Sequence, residues 1–365
     1  MTTSPDAAAH DPAQQERPTF TDDQLREWGL EEEFFEEARE ELASELDQCE
    51  ERGPVRFSFG DGSYGEIQIS DLESGLGRGV EATGDIELPL YTLYMYWQPT
   101  HPPVQILRDN PTYAIDFIEI IGGSDEHLRT LAADERLRTV SLQGLVTERD
   151  VEKAEKQHAL EVEAVRTELA SLVESGEITQ DEADQQQLPT LSIRAGGSLL
   201  TDDGLRSLTG HEKLEDVTLR GGEFSDEALA EVLASLPNLK NVRIDSDTVT
   251  GAFLTSLAGR SLDIISVTSK ALRAETIAEL PAFPETARLD LVGPEVLDGL
   301  DIAALKRAFP GLMELWIGAG DGLDDERMFP VFAAFPGIEV NSLTMSRRAV
   351  EKAAKKRGVE LPADI

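Results

Sequence analysis

The chain has 365 residues, 40% of them hydrophobic and only 6% aromatic, so a sizeable core built mainly from aliphatic side chains is expected. Asp and Glu total 71 against 33 Lys and Arg, a formal charge of −38 that argues against direct nucleic-acid binding, which needs a basic footprint. The single Cys49 excludes an internal disulfide and any zinc site built on several thiolates.

In chain order, residues 1–19 are small, polar and without periodicity, and read as a disordered tail. Residues 20–112 read as a small α+β extension. Its acidic helix starts at Thr21-Asp-Asp and carries Leu25, Leu30, Phe34, Phe35, Ala38, Leu42 and Leu46 at helical spacing, to about Cys49. Val55-Arg-Phe57-Ser-Phe59 alternates, Gly60-Asp-Gly62-Ser supplies a turn, and Glu66-Ile67-Gln-Ile69 alternates again, which predicts a hairpin. Gly75-Leu-Gly-Arg-Gly79 reads as a loop. Tyr91, Tyr94, Tyr96 and Trp97 then crowd one segment, either a strand burying aromatics or an aromatic ligand platform.

From about residue 113 to 346 one frame recurs: apolar-x-x-apolar-x-apolar. It begins as Ile115-x-x-Ile118-x-Ile120 and Leu137-x-x-Val140-x-Leu142. It continues at Leu188, Leu214, Leu239, Leu262, a degenerate unit at Thr286 with Leu289-x-Leu291, Leu312 and Val340. The steps from Leu188 to Leu312 are 26, 25, 23, 24 and 26 residues. After most frames comes a hydroxyl residue opening a helical pattern, as in Ser124-Asp-Glu-His-Leu128, Thr201-Asp-Asp-Gly-Leu205, Ser225-Asp-Glu-Ala-Leu229 and Thr250-Gly-Ala-Phe-Leu254. The hydroxyl can cap the first turn, and the acids suit the positive helix end. A short strand and helix cannot bury their apolar sides alone, so stacked units would share one core and form a parallel sheet.

The step from Leu137 to Leu188 is 51 residues, twice the period. The excess, residues 147–187, reads as a helical insertion. Thr147-Glu-Arg-Asp150 opens it, and Val151, Ala154, His158, Val162, Val165, Leu169 and Leu172 form one stripe. Gly176 ends this helix, and Thr179-x-x-Glu182 suggests a short return helix. The insertion is expected either to pack on its neighbours or to project as an arm for a partner or a second copy. Residues 347–365 read as a C-terminal capping helix holding the one basic cluster, Arg347 to Arg357.

The frame and its [ST]-D-x-x-L helix starts resemble the leucine-rich-repeat family, in its helix-backed, ribonuclease-inhibitor-like subclass. The resemblance implies an α/β fold: a solenoid whose parallel sheet lines the inner, curved side, with helices outside. It also implies a non-catalytic, protein-binding scaffold. The chain departs from the family where Asn or Cys often follows the strand: here stand Gly221-Gly, Asp245-Ser and Gly318-Ala.

Alternate strand positions would face a partner. Among them Arg194, Arg220, Arg243, Arg288 and Trp316 are the candidate binding residues, because Arg forks recognise carboxylates and exposed Arg and Trp are frequent hot spots. Internal pairing with Asp216, Asp245 and Asp290 competes with that role. Acidity with only nine lysines resembles the composition of proteins from salt-loving microbes, where carboxylates keep the surface solvated. An acidic inhibitor of a basic enzyme is the alternative, and an enzyme seated in residues 54–112 a further one. No nucleophile elbow, P-loop or dinucleotide fingerprint occurs. His10, His101, His127, His158 and His211 lack metal-ligand spacing, so no cofactor or metal is expected. No apolar run reaches the ~18 residues of a membrane span, and the polar N-terminus lacks a signal-peptide pattern, so a cytoplasmic location is expected.

Overall fold

The computed structural model describes residues 17–27, 31–71, 77–175, 195–318, 329–335 and 339–341. The N-terminal tail to residue 16, the Thr179 return helix, the Leu188 frame, the Asp321 acidic run and the basic C-terminal cluster lie outside them. The fold is mixed α/β, with a large, mostly parallel sheet that does not close on itself. Two compact units divide between Glu119 and Ile120.

In the first unit the expected acidic helix is two helices, Asp22–Glu27 and Phe35–Arg52. Thr21 and Gln24 form a reciprocal cap at the first, and Gly53, at φ 73°, ends the second. Strand β1 (Arg56–Asp71) pairs antiparallel with β2 (Gly77–Glu87) and with β3 (Thr92–Trp97). The hairpin expected at Gly60–Ser63 is therefore not formed. Between the pairs Ser58↔Asp85 and Ser63↔Thr83, β1 spends four residues against the single Gly84. Gly60 (φ 60°) and Gly84 (φ 63°) let this segment bulge without reversing. Gly77 to Gly79, expected in a loop, start β2. The aromatic cluster points mostly inward. Trp97 is fully buried, stacks edge-on against Phe59 and donates to Tyr64 O at 2.9 Å. Tyr91 is buried and donates to Glu50, Tyr96 stacks on Phe117, and Tyr94 alone of the four is exposed. Tyr91 and Trp97 thus fill a core, as the buried-strand reading expects. β4 (Phe117–Ile121) pairs parallel with β3 and carries the unit boundary.

The second unit repeats strand, turn and helix. Its strands are β5 (Thr139–Gln143), the short β6 (Leu200–Thr201), β7 (Asp216–Arg220), the short β8 (Gly222–Glu223), β9 (Asn241–Asp245), β10 (Ile264–Thr268), β11 (Arg288–Val292), β12 (Glu314–Gly318) and β13 (Glu339–Asn341). The order β13-β12-β11-β10-β9-β7-β5 is parallel throughout, each frame opposite the next. Frame residues Val140, Leu142, Val217, Leu219, Val242, Ile265, Val267, Leu289, Leu291, Leu315 and Ile317 have no solvent exposure, nor have helix residues Leu229, Val232 and Leu233. Thr286 holds the degenerate frame position fully buried because its hydroxyl donates to Leu262 O at 2.7 Å.

β5 pairs directly with β7 over five residues, Thr139↔Asp216 to Gln143↔Arg220. The frame expected at Leu188 lies outside the described residues. The chain leaves β5, and Val146 and Gly196 exchange backbone hydrogen bonds at 2.8 and 2.9 Å. This bridge brings the two sides of the excursion together at its base. Within it the helix Glu148–Ser175 runs for 28 residues, about 42 Å at the usual rise. Its stripe Val151, Ala154, His158, Val162, Val165 and Leu169 is half-buried, with Glu152, Lys156, Glu163 and Arg166 exposed.

Of the four expected hydroxyl caps two form: Ser225 accepts from Ala228 N and Thr201 from Asp203 N. At Ser124 the hydroxyl instead bonds the His127 ring at 2.8 Å, and the helix after Thr250 has Gly251 at its cap position, without a side-chain cap. The adjacent aspartates do more than face a helix dipole. Asp125 accepts from the Thr201 amide and hydroxyl at 2.9 and 2.6 Å. Asp202 takes the same two groups of Ser225 at 2.9 and 2.6 Å. Asp226 takes those of Thr250 at 2.9 and 2.8 Å and adds Phe253 N at 3.1 Å. Each aspartate thus clasps the cap of the following unit. The series stops at Gly251, where the next aspartate would stand.

A row of Gly and Ser stands past the strand ends. Gly144, Gly221, Ser246, Ser269 and Gly293 each donate a backbone N–H to the last carbonyl of the next strand at 2.8–3.1 Å. At Gly144 a Cβ would lie 2.5 Å from Ser198 O, so no larger side chain fits there. Ser246 is buried, and its hydroxyl donates to Gly222 O at 2.8 Å.

The clasp predicts that Asp226→Ala, which strands three donors, lowers stability by about 2–3 kcal/mol, whereas Asp226→Asn loses less. The urea midpoint measures this without adding salt to an acidic surface. A midpoint equal to the parent's in Asp226→Ala would exclude a stabilising clasp.

Candidate functional site

The register places three side-chain rows on the sheet face opposite the frame residues. The first is Asp216, Asn241, Ile264, Arg288 and Glu314; the second is Thr218, Arg243, Ser266, Asp290 and Trp316; the third is Arg220, Asp245, Thr268, Val292 and Gly318. Access differs along this face. Thr139, Ser141 and Thr218 are buried, whereas Arg243, Ser266, Arg288, Asp290 and Trp316 are half-buried. The open part of the face therefore runs from β9 to β12.

The candidate residues separate by what they touch. Arg194 lies outside the described residues. Arg288 is spent locally: Nε and Nη2 reach Asp290 at 3.0 and 3.2 Å, and Nη1 lies 3.4 Å from Glu314. Its guanidinium also stands 5.4 Å from the Trp316 ring centre, and the Trp316 indole N–H donates to Glu314. Trp316 is thus engaged within the face as part of the Arg288 cluster. Arg220 is exposed at the C-terminal end of β7, in register with Asp245.

Arg243 is different. It is half-buried and, among the described residues, has no hydrogen bond or ion pair. Burial presses its guanidinium pKa down, Asp216 and Asp290 push it up, and the like charges of Arg288 and Arg220 press it down again. Arg220, Arg243 and Arg288 therefore do form one electrostatic neighbourhood, although β9 and β11 are two strands apart, roughly 10 Å at the usual spacing. Asp216 accepts from the Asn241 amide, and the Asn241 carbonyl oxygen is buried without a donor. Asp216 and Asp290 were expected as internal partners; Glu314 and Asn241 were not, because contacts between neighbouring strands are not revealed by spacing within one strand.

A cleft of about 410 Å³ adjoins the third row at the C-terminal ends of the strands. Arg220, Asp245, Ser246 and Thr248 form one side of its lining and Leu145 and Leu199 another. The two leucines are 37% and 40% exposed, unusual for leucines among the described residues. They flank the Val146–Gly196 bridge at the base of the excursion. In the first unit a smaller, charged hollow of about 310 Å³ is lined by Asp22, Arg26, Glu32, Phe35, Glu36 and Arg39. Its arginines are engaged: Arg26 pairs with Asp23 and Glu32, and Arg39 with Asp22. Cys49 is buried, its thiol pushed up by burial, which makes it a poor nucleophile.

Among the described residues, no group of three or more His, Cys, Asp or Glu side chains is placed to hold a metal ion. No helix among them is long and apolar enough to cross a membrane. Compared with protein-family models and with curated proteins, the chain gives no match.

Burial raises the Asp216 carboxyl above its ordinary range, against the opposing pull of Asn241 and Arg243. A raised acid disfavours its own ionised form in the folded chain. The cost is present at neutral pH and vanishes as pH falls below the unfolded-state value. Asp216→Asn should therefore raise the urea midpoint at neutral pH, with a gain that shrinks on acidification. A gain that grew instead would contradict the burial effect.

Proposed function

We propose that this chain is a leucine-rich-repeat scaffold without catalytic activity, which binds another protein on the open strand face from β9 to β12. The single observation that carries the proposal is Arg243, a half-buried guanidinium held in the middle of a parallel sheet with no ion pair among the described residues. Withdrawing a guanidinium from water without a counterion is costly, and a partner that supplies one would offset that cost. The stacked strand-and-helix units, three pairs of them joined by an aspartate clasp, support a solenoid whose helices lie outside a curved sheet. Such a sheet offers rows of side chains at fixed spacing, a rigid surface suited to recognition. The acidic remainder of the surface is assigned to solvation in a salty cytoplasm.

A photo-cross-linking amino acid at Ser266 tests the location. Ser266 is central on the face and half-buried, with Arg243 and Asp290 as register partners. In extract of the source cells it should yield a defined protein adduct, whereas the same group at exposed Glu231 on a helix should not. Adducts only at Glu231, or the same pattern at both positions, would remove the strand face as the binding surface.

A further inference from the structure

We infer that the open strand face receives an acidic side chain, Asp or Glu, of its partner, with the carboxylate seated on Arg243 beside Ser266. The inference rests on the strand face being the binding surface and adds the chemistry of what binds there.

Three observations lead to a single carboxylate. The nearby acids are already committed: Asp290 takes both Nε and Nη2 of Arg288, and Asp216 accepts from Asn241. Neither lies within ion-pair distance of Arg243. The neighbouring Arg288 is in turn met by two carboxylates, Asp290 and Glu314. One spent and one unspent guanidinium leave room for one negative charge; a dianionic phosphate would bring a second charge toward Asp216 and Asp290. Ser266, next in the same row, is small and half-buried, and it leaves space above β10 for an incoming group. A guanidinium fork holding a carboxylate by two parallel N–H donors is the geometry such a site offers.

The charge of the whole chain gives this contact an unusual signature. At −38 the protein repels an acidic partner at long range. Salt screens that repulsion over about 10 Å at 0.1 M, but weakens a half-buried short-range pair much less. Binding at Arg243 should therefore hold or tighten as salt is raised. A basic partner drawn to the acidic surface would be lost under the same conditions.

The test is selection from a library of random peptides displayed as N-terminal fusions, so that no C-terminal carboxylate is presented, against the full-length protein. Expected are enriched peptides that share an Asp or Glu and bind Arg243→Gln about ten- to hundredfold more weakly, the range of a charge-assisted pair. Replacing the shared acid by its amide should cause a similar loss, and Arg243→Lys should retain part of the binding. Because Arg243 makes no hydrogen bond or ion pair among the described residues, the glutamine variant should unfold at the parent's urea midpoint, which keeps the comparison fair. Peptides without an acid, equal binding by Arg243→Gln, displacement by inorganic phosphate alone, or affinity that falls with salt would each overturn the carboxylate site while leaving the scaffold in place. Failure to enrich any peptide would overturn both.

Discussion

An aspartate one residue past a helix cap accepts the amide and hydroxyl of the next unit's cap, and this contact joins successive units on the helix side. Its physical logic is economical. A helix start leaves N–H groups unsatisfied, and a cap hydroxyl uses its lone pairs on them while its own proton still needs an acceptor. The aspartate takes that proton and one further amide, so two adjacent units satisfy each other's polar groups. On the opposite side of the core, the Gly and Ser row extends the backbone ladder past the strand ends. Apolar frame residues lie between these two polar seams. A five-residue strand by itself has no partner for either seam, which is why the unit is stable only in a stack.

The same constraint explains how the chain tolerates a long excursion. Leaving the stack costs little if the departing and returning strands meet at the base, because loop-closure entropy grows only slowly with length. Val146 and Gly196 supply that meeting point, and Asp125 reaches Thr201 just beyond it. The stack thus continues from the Ser124 helix to the Thr201 helix across 76 residues of sequence as though nothing intervened. What the excursion does leave is a mark on the surface: Leu145 and Leu199 stand exposed on either flank of its base, beside a cleft.

On the strand face, strict register turns a linear sequence into a two-dimensional charge pattern. Rows one and two hold three acids and two arginines within a few strands, and distance alone decides which pair. Arg288 sits in the row that brings Glu314 beside it and curls over Asp290. Arg243, one row across and two strands away, has no ion pair among the described residues. Two arginines that look alike in the sequence therefore acquire opposite roles, one closing a local cluster with Trp316 and one remaining available.

Much of this was readable beforehand. The apolar frames identified which residues would be buried, because a period-two strand with one face in a core has few other choices. The hydroxyl caps were legible for the same local reason, as was the existence of a helix after residue 147. The reading failed where a local pattern has more than one possible partner. β5 pairs directly with β7 across a long stretch of sequence, a neighbour that the order of the frames did not give, since pairing depends on which strands can meet in space and not on the pattern each carries. Gly60 and Gly62 suggested a turn, but a positive-φ glycine serves a bulge equally well, and the choice was made by the partner strand. Sequence alone determined the units, their core faces and their caps, because those rest on neighbours within a few residues. Only the tertiary structure decided which strands adjoin, which aspartate reaches which cap, and which arginine is left over, because each depends on distances between residues far apart in the chain.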